Sequence, residues 1–177
     1  MSSSEPKPTF GDQIARCTRS AVHLEMRDAY AVDEEAEEFA AWRSGFRHDP
    51  DDRASWWGPW HDLIQEAVSR GVVVRRARIV SEPVTDYIRF EHSDTFTNVT
   101  AGEQVRWLPR RHASDIALPG NDFWLFDEQV IRWNHFTGDG VWAGHEICEE
   151  PAASKLCATA FEAVWARAIP HDQYKIR

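Results

Sequence analysis

Four arginines and three carboxylates crowd into the stretch Gly71 to Glu91, GVVVRRARIVSEPVTDYIRFE: Arg75, Arg76, Arg78 and Arg89 beside Glu82, Asp86 and Glu91. Guanidinium groups hold phosphate or carboxylate through paired N–H donors, so this composition suits anion binding. Residues 72–80 read as a β-branched strand that Pro83 closes. Alternation puts Val72, Val74, Arg76, Arg78 and Val80 on one face, and Val73, Arg75, Ala77 and Ile79 on the other. Arg76 and Arg78 then stand about 7 Å apart on one face, a spacing that could cradle one anionic group. A core-facing arginine equally needs an acid partner, because an unpaired buried charge is very costly. The competing reading is therefore an internal ion-pair network with Glu82, Asp86 or Glu91. The expected ligand set is Arg76, Arg78, Arg89 and Arg106, with those carboxylates beside it.

A second set lies downstream. Asp127, Asn134 and His135 offer acid–base chemistry if a cleft unites them. Joined by Glu91, and with the arginines as electrostatic stabilisers, Asp127 and His135 would suit an enzyme acting on a phosphodiester or nucleotide. Asp127 reads equally well as a turn residue. Other chemistries are excluded. The chain has no GxxxxGK[ST], GxSxG, HExxH or CxxC, and Gly138-x-Gly140 sits in a hairpin. His135, His145 and Glu146 could converge on neighbouring strands, but strand histidines are more often structural. No metal and no cofactor is expected.

The elements that must position these residues follow from periodicity. Thr9 caps a first helix, with Asp12 three residues on. His23–Val32 reads as a short strand or extended run. Asp33 opens a helix that Gly45 stops, and Pro59 starts another that Gly71 ends. Thr85 caps a short helix reaching Glu91. Strands are expected at 72–80, 104–108, 122–127, 129–136 and 141–148, and Pro151 begins a long helix ended by Pro170. The fold class is α+β, a mixed five-stranded sheet with packed helices and an N-terminal helical extension. Residues 1–8 form a disordered tail, and residues 9–70, a helical region, pack with 71–177 into one domain.

Composition narrows the partners. The net charge of −9 argues against direct nucleic-acid binding, which needs a basic face. Nine tryptophans suggest a Trp-rich core before a Trp-lined groove. Three cysteines, widely spaced, do not make a disulfide framework. The start, MSSSEPKPTF, lacks an apolar leader segment, and no run approaches membrane-spanning length, so a cytoplasmic protein with no membrane partner is expected.

The runs VSEPVTDYIRFEH, AGEQVRWLPRR, LPGNDFWLFD and AFEAVWARAIPHDQY resemble an actinobacterial family of domains of unknown function, often encoded beside helix-turn-helix regulators. The resemblance spans nearly the whole chain and carries no catalytic residue. It implies a helix-turn-helix regulator as a protein partner. A more distant likeness is to the phospholipase D-like half-domain, through Gly71–Val80, Gly102–Pro109, Phe123–Phe136 and Phe161–Ala168. That superfamily uses His-x-Lys, yet none of Lys7, Lys155 and Lys175 has a histidine two residues before it. The likeness thus implies a fold used for sensing or binding. The sequence reading is a non-enzymatic regulatory or interaction domain that senses a small anionic ligand or binds a regulator. The phosphodiester-processing enzyme is the alternative.

Overall fold

A computed structural model describes residues 8–177 of the chain. The expected disordered tail therefore lies outside them, apart from Pro8. Helix α1 (Phe10–Arg16) starts from a reciprocal cap: the Thr9 hydroxyl accepts from Asp12 N–H, and the Asp12 carboxylate accepts from Thr9 N–H. The helix stops before Cys17, and the chain turns at once into strand β1 (Ser20–Glu25). Then come α2 (Asp33–Arg43), the single turn α3 (Arg53–Trp56), α4 (Pro59–Ser69) and strand β2 (Val73–Val80). Helix α5 (Asp86–Ala101) leads to β3 (Gln104–Pro109). After a 3-10 turn over Arg110–Ala113 come β4 (Asp122–Phe126), β5 (Val130–Phe136), β6 (Trp142–Cys148), α6 (Pro151–Arg167) and the two-residue β7 (Ile169–Pro170).

The sheet has seven strands in the order β6-β5-β4-β1-β2-β3-β7. This corrects the expected five. The missed strands are β1 and β7, and β1 is the central one. Its sequence, SAVHLE, carries His23 and Glu25 on the face that would ordinarily be apolar, which hid its strand pattern. Strands β1, β2 and β3 run parallel, while β4 returns antiparallel on the other side of β1. Thr85 does cap α5, accepting from Ile88 N–H at 3.2 Å, but the helix runs ten residues past the expected Glu91 to Ala101.

The pairing register fixes the two faces. Val22, Leu24, Ala77, Ile79, Leu108, Phe123 and Leu125 form one, covered by Cys157, Phe161, Val164 and Trp165 of α6. Ala21, His23, Glu25, Val74, Arg76, Arg78, Val80, Val105, Trp107, Trp124 and Phe126 form the other, beneath α1, α4 and α5. The tryptophans largely serve the core. Trp107, Trp124 and Trp165 are buried, and Trp57 and Trp60 pack against the cluster under α4.

Gly102 ends α5 in the left-handed region at φ 106°, and a Cβ there would meet the Val68 methyls at 3.1 Å. Gly102→Ala is therefore expected to cost about 1–3 kcal/mol by urea denaturation. Gly120→Ala, at ordinary φ with open space around it, is expected to be nearly neutral. Equal effects at the two sites would contradict this account.

Candidate functional site

The second face carries a layer of charge between two apolar clusters. His23 pairs with Arg76, and Glu25 with Arg78, across β1 and β2. Glu25 bridges both arginines: its Oε1 lies 3.2 Å from Arg76 Nη1, and its Oε2 lies 3.0 Å from Arg78 Nε, close as an ion pair but not aligned as a hydrogen bond. Arg76 Nε also donates to Glu103 Oε1 at 2.7 Å, and Arg78 donates to Glu91. Arg78 is 4% exposed and Glu103 2%. Aromatic rings complete the packing: Arg76 lies over Trp60 and Trp124, and Arg78 over Trp107. Burial disfavours both cations, but the adjacent carboxylates outweigh it and hold both pKa values above the ordinary arginine value. His23, stacked on Trp124, is held well below the usual imidazole range by burial and by the two arginines. It is neutral, so its 3.8 Å approach to Glu25 is a contact rather than an ion pair.

Beyond the carboxyl end of β1, this layer grades into a cluster of acids and phenols. Tyr30 donates to Asp122 Oδ2, and Met26 N–H donates to Asp122 Oδ1 at 2.9 Å. Burial and the neighbouring Glu25 push Asp122 up to about 6 against the hydrogen bond from Tyr30. Glu35, on α2, accepts from the Tyr87 hydroxyl at 2.6 Å. Burial, then the charge of Glu91, pushes it up to about 7. A cavity of about 230 Å³ opens beside Asp122, walled by Met26, Arg27, Leu118, Asn134 and Phe136. Asn134 is 8% exposed, and its Oδ1 has no hydrogen-bond partner. Arg27 Nε is likewise buried without one, although its Nη2 donates to the carbonyls of Thr137 and Gly138. A larger hollow, about 740 Å³, lies at the start of α6, and Ser154 there already donates to the Gln129 carbonyl.

The residues singled out from the sequence are dispersed. Arg76, Arg78 and Glu91 meet in the ionic layer. The partners Glu25 and Glu103 were missed, and of the three proposed from the sequence only Glu91 is one. Glu82 accepts from the Tyr174 hydroxyl at 3.0 Å and lies 3.7 Å from Arg111. Asp86 and Arg89 are exposed on α5. Arg106 points to the opposite face and donates to the Trp165 carbonyl at 3.0 Å. Asp127 sits in the β4–β5 turn at φ 52° and accepts from the N–H groups of Thr18, Arg19 and Ser20. Partial burial opposes its charge, but these donors hold it down at about 2. His135 lies 3.6 Å from Glu146 at the far end of β5, on the α6 face. Asp127 and His135 are thus on the order of 20 Å apart along the hairpin. Glu91 is instead held by Arg78 in the ionic layer. Among the described residues, no three metal-ligating side chains cluster. No helix there is long and apolar enough to cross a membrane.

Two outcomes follow. Arg76→Met leaves the Glu103 carboxylate buried without its cation, at an expected cost of about 3 kcal/mol. The double variant Arg76→Met/Glu103→Met is expected to lose clearly less than the two single losses added, measured by urea denaturation. Simple additivity would show that the pair is not coupled. Glu35 has a folded-state pKa above its unfolded value of 4.5, so the folded protein keeps a proton that the unfolded chain gives up. That contribution is present below about pH 4.5 and lost as the pH rises through about 7. Glu35→Gln should match wild type near pH 4 and exceed its stability at pH 8, by about 3 kcal/mol. A pH-independent difference would rule this out.

The fold has a solved counterpart. The chain is similar to NUC from Salmonella typhimurium, a phospholipase D family member, with a TM-score of 0.50 and 11% identity over 90% of this chain and 86% of that one. It also matches TrmBL2, an archaeal chromatin protein whose structure shows a novel mode of DNA binding, at a TM-score of 0.48 and 12% identity, over 89% of this chain and 47% of that one. At these identities the likeness to NUC concerns the fold alone, and that to TrmBL2 is too slight to reason from. No curated protein matches the sequence. The family is shown by the sequence itself: over residues 8–176 the chain matches, and belongs to, the family described as a domain of unknown function, DUF6879.

Proposed function

We propose that this chain is a non-enzymatic regulatory domain that binds a small polar molecule in the crevice at the carboxyl end of β1. One observation carries the reading: unfilled hydrogen-bonding capacity, at Asn134 Oδ1 and Arg27 Nε, on two residues that line a 230 Å³ cavity. Its place in the fold supports it. From β1 the chain passes to β2 and β3 on one side and then returns to β4 on the other. In open sheets with parallel strands, ligands lodge outside the carboxyl ends at such a reversal of strand order. The mixture of Phe136, Met26 and Leu118 with a few polar groups is typical of a small-molecule site.

The arginine face drawn from the sequence is less suited to an external anion, since Arg76 and Arg78 are already matched by Glu25, Glu91 and Glu103. The phosphodiester-processing alternative rests on Asp127, His135 and Glu91 acting together, and their positions, in the β4–β5 turn, at the far end of β5 and against Arg78, do not favour it. In the regulatory reading, ligand occupancy would be passed to a protein partner, a helix-turn-helix regulator being the kind that the family resemblance implies.

A thermal-melt panel of nucleosides, nucleotides and sugar phosphates tests the proposal. At least one compound is expected to raise the melting temperature of the wild type, and Asn134→Leu is expected to abolish that rise. A panel without any shift, or a shift that survives both Asn134→Leu and Asp122→Asn, would refute it.

A further inference from the structure

A second place in the molecule has donors without acceptors, at the opposite end of the β4–β5 hairpin. Gln13, on α1, is 7% exposed, and its neighbour decides which way its amide points. Its Oε1 accepts from Arg132 Nη1 at 3.2 Å, and a guanidinium can only donate. The amide nitrogen is therefore the remaining group, and Nε2 has no hydrogen-bond partner.

Arg132 is just as short of acceptors. It is half-buried on β5, and its other bond is a long one, 3.4 Å, to the Pro8 carbonyl. Among the described residues, no carboxylate lies within ion-pair distance of it. Arg75, Arg76 and Arg78, on the same sheet, each have one. Burial lowers the pKa of Arg132, and no acid offsets that effect. A half-buried cation and a buried amide donor, side by side and unmatched, are complementary to an anion.

Next to Gln13 is a cavity of about 240 Å³ with apolar walls from Phe126, Val130 and Ile147. Ile147 is the cross-strand neighbour of Arg132, so the guanidinium and this wall share one face. Arg16 is exposed at the rim. Two acids also line the cavity. Asp127 is committed to the N–H groups of Thr18, Arg19 and Ser20, and Glu149 is exposed to solvent.

We infer that this cavity between α1 and the β4–β5–β6 strands is a binding site for a small organic carboxylate. The carboxylate head accepts from Gln13 Nε2 and the Arg132 guanidinium, and the apolar body lies on Phe126, Val130 and Ile147. Inorganic phosphate has the charge but no apolar body to fill the walls. This site is separate from the crevice at the carboxyl end of β1, and neither depends on the other.

Titration calorimetry of the full chain with benzoate at pH 7 tests it, with benzamide and inorganic phosphate as comparators. Benzoate is expected to bind, and both comparators to bind about tenfold more weakly or worse. Gln13→Glu supplies Arg132 with an internal carboxylate. It is expected to abolish benzoate binding while melting at or above the wild-type temperature, which separates loss of the site from loss of the fold. Glu149→Gln is expected to tighten binding by removing a like charge at the rim. Failure of benzoate to bind, equal binding of benzamide, tighter binding of phosphate, or benzoate binding that persists in Gln13→Glu would each overturn the inference.

Discussion

Arg76 and Arg78 stand in the middle of a seven-stranded sheet, out of water, and nothing on β2 itself offsets the cost of burying them. The offset comes from three other elements: Glu25 at the end of β1, Glu91 on α5 and Glu103 at the entry to β3. Each contact joins segments far apart in the chain. The central parallel pair, the α5 crossover and the next strand are thereby tied to one set of charges. Hydrophobic packing surrounds this set on the same face, with one cluster under α1 and α4 and another under α5. Apolar burial supplies most of the driving force in a core of this kind, whereas the charges choose among arrangements. A two-residue slip of β1 along β2 would keep every side chain on its face. It would also set neutral His23 opposite Arg78 and carry Glu25 away from Arg76, so charge locks a register that apolar patterning alone leaves open.

Much of this was legible in the sequence, for identifiable reasons. The alternation of β2 placed Arg76 and Arg78 together on the correct face, because side-chain period is a local property of a strand. Capping by Thr9 and Thr85 is equally local and was read correctly, whereas the length of α5 beyond Glu91 was not. β1 was not recognised at its true position. Its polar residues, His23 and Glu25, occupy the buried face, and only knowledge of their partners on β2 makes that pattern sensible. The pairing of Glu25 and Glu103 with Arg76 depends on strand order, which no local signal reports. Gln13 was overlooked, and Asn134 was read only as a member of an acid–base set with Asp127 and His135, for a related reason. A lone amide carries no motif, and its meaning lies in which of its atoms is left without a partner.

The likeness to NUC, at 11% identity, is one of strands and helices. At the centre of the present sheet, Glu25, Glu91 and Glu103 neutralise Arg76 and Arg78. Polar atoms without partners also occur on residues that line the two cavities, Asn134 at one end of the β4–β5 hairpin and Gln13 at the other.

Glu25 touches both arginines of β2, and this has a consequence for how the chain can drift over time. A change at position 25 alone takes one of two acid partners from each arginine. A change at 76 or 78 alone strands a carboxylate on another element. Positions 25, 76, 78, 91 and 103 are thus energetically linked, and the cost of a change at one depends on which residues stand at the others.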